Sequence, residues 1–423
     1  MGLTQRIINA LKGQAASDRR PSPGRVVVPS ADDQWRDYPS SNLTPSRLIA
    51  ILREADAGSL ANAMQLFEEM EEKDAHLYSV ANTRRLAVTG LEWRIESAAD
   101  APDRVHADEA AAFCREVLAQ LPGFDAVLQH ISLATGRNIA VAELVWDTIA
   151  GQLQLADICP VDFGRLAFDD LGDLRILTED AAIDGIELPP NKFLVHTPHS
   201  VGGHPTRGGL LRVTAMVYLA KNLALKDWLT FSEVFGMPVR IARYEPSATA
   251  EEKRELLYML ESLGANASGI FSRAVDMQII EANRGSAGPP FEKLINFLNR
   301  EISKAWLGQT LTTETPGSKG TFSASQVHEE VRKDIRADDL RKEARTIRRD
   351  VLTPLVAMQF GDRAPVPFFR RKPGKARELK ELTDVLDAAV NRLGARVPTD
   401  WAHDVLGIPQ AADREPVLQG AAP

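Results

Sequence analysis

The reading turns on LLRVTAMVYLAKNLALKDWLTFSEVFGMPVRIARY, residues 210–244. Leu210 to Phe235 is a helix of 26 residues, about 39 Å long at 1.5 Å per residue. Gly236 and Pro238 end it. Leu211, Met216, Leu219, Leu223, Trp228, Phe231 and Phe235 make it apolar over most of its circumference, so other helices must surround it. The charges Arg212, Lys221, Lys226, Asp227 and Glu233 argue against a membrane span. Past Phe-Gly-Met-Pro the pattern changes abruptly to a strand, Val239 to Tyr244.

Downstream, a helix from Glu251 to Leu263 and a strand from Ala274 to Glu281 complete a small α/β module. A second long helix, Pro290 to Leu307, carries Phe291, Leu294, Ile295, Leu298, Ile302, Ala305 and Trp306 on one stripe and stops at Gly308. Gln309 to Ser323 (QTLTTETPGSKGTFS) is polar, rich in Thr and Gly, and reads as an exposed loop. A third long helix follows from Ala324 to Phe360, with Pro354 expected to kink or shorten its end. Beyond a Pro- and Arg-rich hinge, Arg363 to Lys375, a last helical piece runs through Leu379, Leu386, Val390 and Trp401.

Upstream, Ser200 to Gly209 breaks all periodicity and reads as an exposed, mobile loop. Alternating segments at Ala140 to Trp146, Gln152 to Ile158, Phe163 to Phe168 and Phe193 to Thr197 indicate a β-rich lobe with a helix near Phe124 to Thr135. A helix is expected from Asp108 to Leu121 and a strand from Gly90 to Ser97. Two helices precede residue 85, with Thr44 as N-cap and Pro45 in the first turn. Residues 1–39, rich in Pro, Ser, Arg and Asp, read as a flexible arm.

The 423 residues are 44% hydrophobic and 26% charged, an ordinary globular composition large enough for more than one lobe. No apolar run of about eighteen residues and no secretory leader pattern is present, which points to a chain without membrane association. Cys114 and Cys159 sit in no CxxC and read as small hydrophobes. The net charge of −8 disfavours tight gripping of phosphates but not sliding contact with DNA.

The chemistry searched for is absent. Pro316-Gly-Ser-Lys-Gly-Thr321 has the wrong spacing for a phosphate loop and follows a helix. The eight histidines form no HExxH and read as surface or capping residues. No Gly-x-Ser-x-Gly elbow occurs. Asp169, Asp170 and Asp173 could hold a metal, yet a solvated turn explains them as well. The charge run Arg332 to Asp350, with Asp338 and Lys342 at i, i+4 spacing, reads as a solvated helix face. No cofactor or metal is implied.

Three segments together resemble the portal proteins of Mu-like bacteriophages: Asp74-Ala-His-Leu-Tyr-Ser-Val-Ala-Asn-Thr-Arg-Arg85 with Leu91-Glu-Trp-Arg-Ile95, Gly136-Arg-Asn-Ile-Ala-Val-Ala-Glu-Leu-Val-Trp146, and Trp228 to Tyr244. The resemblance covers about residues 40–360, and its specificity lies in order and spacing. It implies a helix-rich α+β portal fold that assembles as a homododecameric ring. Residues 40–208 would be the wing, 209–236 the first stem helix, 237–289 the clip, 290–308 the second stem helix, 309–323 a tunnel loop, 324–375 a long wing helix and hinge, and 376–423 the crown.

The resemblance further implies a head–tail connector at one capsid vertex, assembled in the host cytoplasm and carried in the virion. Double-stranded DNA would pass through it regardless of sequence. The expected partners are the terminase large subunit, the major capsid and scaffold proteins, and head-completion or tail adaptor proteins. Thr310, Thr312, Thr313, Ser318, Lys319 and Thr321 would line the channel. Glu251, Lys253, Arg254 and Glu261 would face terminase or adaptor, and Trp228, Phe231, Phe235, Leu298 and Trp306 would pack the stem. The competing readings are a phage nuclease or protease with an unrecognised site, and a scaffolding or adaptor protein that does not touch DNA.

Overall fold

A computed structural model describes residues 20–28, 42–98, 101–149, 152–198, 204–236, 239–243, 247–262, 276–280, 288–310, 322–371, 382–406 and 408. Helix α1 (Pro45–Asp56) starts as expected, with Thr44 Oγ1 accepting from the Arg47 N–H and Pro45 in the first turn. Among the described residues three helices, not two, precede the first strand: α1, α2 (Ala61–Lys73) and α3 (Ala75–Thr89). The unforeseen break is Asp74, whose extended backbone ends α2 and whose carboxylate caps α3 by accepting from the His76 and Leu77 N–H groups at 3.0 and 3.1 Å.

Strand β1 (Trp93–Glu96) leads to α4 (Arg104–Gln120), α5 (Phe124–Ser132) and the short α6 (Ala134–Arg137). Strands β2 (Ala140–Ile149), β3 (Gln152–Pro160) and β7 (Phe193–His196) form an antiparallel sheet in the order β3-β2-β7. A second antiparallel sheet joins β4 (Leu166–Phe168), β5 (Leu174–Thr178) and β6 (Ala181–Glu187). The sequence reading missed β5 and β6; β6 buries no residue fully, so no apolar alternation marks it.

Helix α7 (Leu210–Gly236) is followed by β8 (Val239–Arg243), α8 (Ala250–Ser262) and β9 (Asp276–Ile280), with β8 and β9 antiparallel. Helices α9 (Gly288–Leu307) and α10 (Phe322–Ile347) come next. A π turn (Arg348–Leu352) then precedes α11 (Thr353–Phe360). Proline at 354 has no N–H to give and would crowd the carbonyl four residues back, and the wider π turn just ahead of it fits that constraint without a break. The expected hinge contains a strand, β10 (Phe368–Arg371), paired antiparallel with β1 in the register Trp93↔Arg371 to Glu96↔Phe368. The last described elements are helical turns over 382–392 and α12 (Thr399–Leu406).

The β3-β2-β7 sheet separates two cores. Ile139 and Val141 face the core shared by α1, α2, α3, α7 and α9, while Ala140, Ala142, Leu144 and Trp146 face the core of α4, α5, the π turn and β10. Cys114 lies in the second core, and burial pushes its thiol up to about 12.

Several polar expectations are corrected. His130 and His196 are interior groups and not surface or capping ones: His130 Nε2 meets the Val141 carbonyl oxygen at 3.1 Å and stacks on Phe163, and His196 Nδ1 meets Thr346 Oγ1 at 2.9 Å. The charge run on α10 is solvated only in part. Asp338 and Lys342 pair at 2.6 Å as expected, but Glu343 and Thr346 are buried because two other elements pack on that side. Asp169 holds a turn, accepting from the Leu171 and Asp173 N–H groups and pairing with Arg175 at 2.8 Å. Among the described residues no cluster of metal-ligand type forms, and no helix is long and apolar enough to cross a membrane.

The loop Ser200 to Gly209 is described from His204 onward. There Thr206, Gly208 and Gly209 are buried, against the expectation of an exposed segment. Residues 20–28 likewise depart from a flexible arm: Pro21 and Val27 are buried and Gly24 bridges to Trp146.

Candidate assembly surface and the polar clamp behind it

Helices α7 and α9 pack on one another along their length. Leu211, Ala215, Tyr218 and Leu219 of α7 and Ile302, Trp306 and Leu307 of α9 are buried in the same core. At the other end Phe291 lies between the rings of Trp228, stacked at 6.4 Å, and Phe231, tilted at 5.9 Å. Leu298 and Trp306 are buried, and the Phe235 side chain lies outside the described residues.

Among the described residues the surround of helices expected for α7 is incomplete. Val213 is 61% exposed, and Met216 and Leu223, three and ten residues on, are bare on the side turned away from the core. Further along, Leu229 is 70% exposed. Helix α9 leaves Leu294 and Phe297 open at i, i+3 spacing. Exposed apolar side chains that recur along two packed helices are of the kind found at protein–protein contacts.

Behind this surface, α3 holds the elements that present it. The Asp74 Oδ1 that caps α3 also accepts from Lys221 Nζ of α7 at 2.6 Å. His76 Nε2 meets Ser303 Oγ of α9 at 2.8 Å. Arg84 donates through Nη1 to the Trp306 carbonyl at 2.9 Å and through Nε and Nη2 to both oxygens of Asp339 on α10, at 2.8 and 3.0 Å. That carbonyl belongs to the last turn of α9, where no later helical N–H can satisfy it. Arg84 thus ties together the two helices that flank residues 309–321.

Glu71 takes Arg85 at 2.5 Å and Arg137 at 2.8 Å, and the Arg137 guanidinium lies 4.9 Å over Phe163. Arg371 of β10 grips Glu343 of α10 with two bonds and donates to the Leu91 carbonyl at 2.7 Å. The start of α7 is set by close contact. Asn138, in the left-handed region at φ 65°, caps α6 and donates to the Pro205 carbonyl, and a Cβ on Gly209 would lie 2.2 Å from the Gly136 oxygen.

Of the residues expected to line a channel, only Thr310 is described; it is half-buried just past Gly308, whose φ is 68°. Thr312, Thr313, Ser318, Lys319 and Thr321 lie outside the described residues. Glu251, Lys253 and Arg254 are exposed on α8, and the Glu261 side chain is not among those described. Helix α8 opens with a capping box in which Glu252 accepts from the Thr249 N–H at 2.7 Å, a bond that holds its carboxyl below the usual range. Asp74, Arg84, Arg85 and Arg137 fall in the segments that carried the family resemblance, yet their roles as a clamp were not read from them. The missed signal was polar residues at helix spacing with core positions.

The model for "Portal protein of Mu bacteriophage" matches residues 64–408. The chain belongs to the Mu portal protein family. It is 34% identical over 390 residues to the "Portal protein" of Escherichia phage Mu, covering 90% of this chain and 74% of that protein. The "Mu-like prophage FluMu protein gp29" of Haemophilus influenzae is 32% identical over 392 residues, 91% of this chain and 74% of the relative. Among solved structures, a chain from the "Neck of empty GTA particle computed with C6 symmetry" superposes with a TM-score of 0.54 at 12% identity, over 87% of this chain and 95% of its own. A chain from the "Virion of native gene transfer agent (GTA) particle" gives 0.53 at 12% identity, over 97% and 100%. These two establish a shared fold, and the portal assignment comes from the family match. The clamp and the bare α7–α9 surface are therefore features of a portal protein.

Proposed function

We propose that copies of this chain close into a ring, a dodecamer by family resemblance, through the bare apolar surface of α7 and α9. Those helices act as the stem, 237–289 as the clip, 309–323 as the tunnel loop, the β-rich lobe with α10 as the wing, and 376–423 as the crown. The ring sits at one capsid vertex of the virion after assembly in the host cytoplasm. It passes double-stranded DNA without reading sequence, docks the terminase large subunit and later the head-completion and tail adaptor proteins, and contacts major capsid and scaffold proteins. It works as a conduit without catalysis of its own. The observation that carries this reading is the run of exposed Val213, Met216, Leu223, Leu229, Leu294 and Phe297 on two long packed helices of a portal-family chain.

Electron microscopy and mass photometry of the purified protein test it. Rings with a central channel are expected, and Val213→Glu with Leu229→Glu should shift the population to monomers while circular dichroism stays unchanged. Persistence of rings in that double variant would move the interface elsewhere. Deleting residues 312–320 should leave rings intact and impair DNA packaging or retention; normal packaging would remove the tunnel-loop assignment.

A further inference from the structure

Two charges of opposite sign are fully buried on the β3-β2-β7 sheet. Glu143 lies within the apolar run of β2, Lys192 just before β7, and their side chains are 3.5 Å apart with no exposure. A buried pair of this kind persists only if further hydrogen bonds satisfy it. Those bonds come from the backbone of residues 22–27. Glu143 Oε1 accepts from the Val26 N–H at 2.5 Å and Oε2 from the Val27 N–H at 2.8 Å. Lys192 Nζ donates to the Ser22 carbonyl at 3.0 Å and to the Gly24 carbonyl. The Gly24 N–H donates in turn to the Trp146 carbonyl at 2.8 Å, where a β-bulge between Val145 and Trp146 interrupts the β2–β3 pairing.

The side chains in this stretch divide between core and solvent: Val27 lies in the core of α1, α2, α3, α7 and α9, and Val26 packs against it. Ser22, Pro23 and Arg25 are exposed, and only Pro21 and Val27 are buried. A carboxylate aimed at N–H groups and an ammonium aimed at C=O groups read main chain and not sequence.

We propose that Glu143 and Lys192 form a receptor for an extended peptide backbone, and that residues 20–28 are its separable ligand. Emptying the receptor would leave a buried carboxylate and ammonium short of partners, so the site favours occupation by one backbone or another. The ligand is the chain's own segment, which the structure holds in the site through four backbone bonds.

The test uses the full chain with a protease site placed between residues 32 and 38. After cleavage the N-terminal fragment should co-elute with the body on gel filtration, and excess labelled peptide 18–30 should displace it. Val26→Pro in the peptide removes one N–H taken by Glu143 and should weaken binding at least tenfold, while Ser22→Ala and Arg25→Ala stay within twofold. Because these changes lie in the peptide, folding of the body is not at issue. Failure of any peptide excess to displace the fragment, or equal loss with the alanine peptides, would overturn the proposal.

Discussion

Replacing Arg84 with Met keeps the length of the side chain and removes every bond its guanidinium makes. Arg84 and Asp339 are 10% and 9% exposed, so the change takes the guanidinium away from a nearly buried carboxylate. Breaking a buried pair from one side costs about 3–5 kcal/mol. The Trp306 carbonyl also loses its donor, worth about 1–3 kcal/mol, though the two losses overlap because one side chain serves both. A net cost of about 4 kcal/mol corresponds to roughly a thousandfold rise in the opening equilibrium where α3, α9 and α10 meet. A global melt of a chain with two cores is not two-state, so native-state hydrogen exchange on the amides of 300–307 and 335–343 is the proper assay. Adding Asp339→Leu removes the carboxylate that Arg84 bonds and should recover exchange to within about 1 kcal/mol of the parent. An Arg84→Met cost below about 1 kcal/mol, or no recovery in the double variant, would refute the clamp.

Gly209→Ala should cost about 3 kcal/mol, since φ is 82° and the new Cβ would lie 2.2 Å from the Gly136 oxygen. Gly394→Ala, at φ 67° with open space around it, should cost only about 1 kcal/mol, and equal denaturation shifts for the two would remove the contact argument. His130 is pushed down to about 4, first by burial, with Arg137 adding to the effect against the Val141 carbonyl and Asp162. The unfolded His binds its proton near pH 6.5 and the folded one only near 4, so this contribution is present above pH 6.5 and is lost as pH falls between those values. At 1.36 kcal/mol per unit the loss reaches about 3 kcal/mol. His130→Gln should flatten the acid limb of a stability–pH curve in that window, and parallel limbs would contradict the burial.

The long helices were legible because their signal is local. Period-3.6 apolar stripes with glycine or proline stops placed α7 and α9 within two residues of their observed ends. The Thr44 cap and the strand-helix-strand order of β8, α8 and β9 were equally readable. Asp74 was quoted in a family segment but not seen as a cap, so α2 and α3 were merged; the missing clue was the pairing of its second role with Lys221, far along the chain. The α10 charge run was read as solvated because periodicity cannot show that β10 returns to place Arg371 over Glu343.

What the sequence determined by itself was the long helices, the portal family, and the excess of apolar surface on α7, since each rests on neighbours a few residues apart or on ordered motifs. Tertiary structure decided which of those faces are covered. It left Val213 and Leu229 bare while enclosing Tyr218, and it brought Glu143, Lys192 and the backbone of 22–27 together. The physical reason is range: helix periodicity is written within a turn or two, whereas a buried charge is explained only by partners that folding brings to it from more than a hundred residues away.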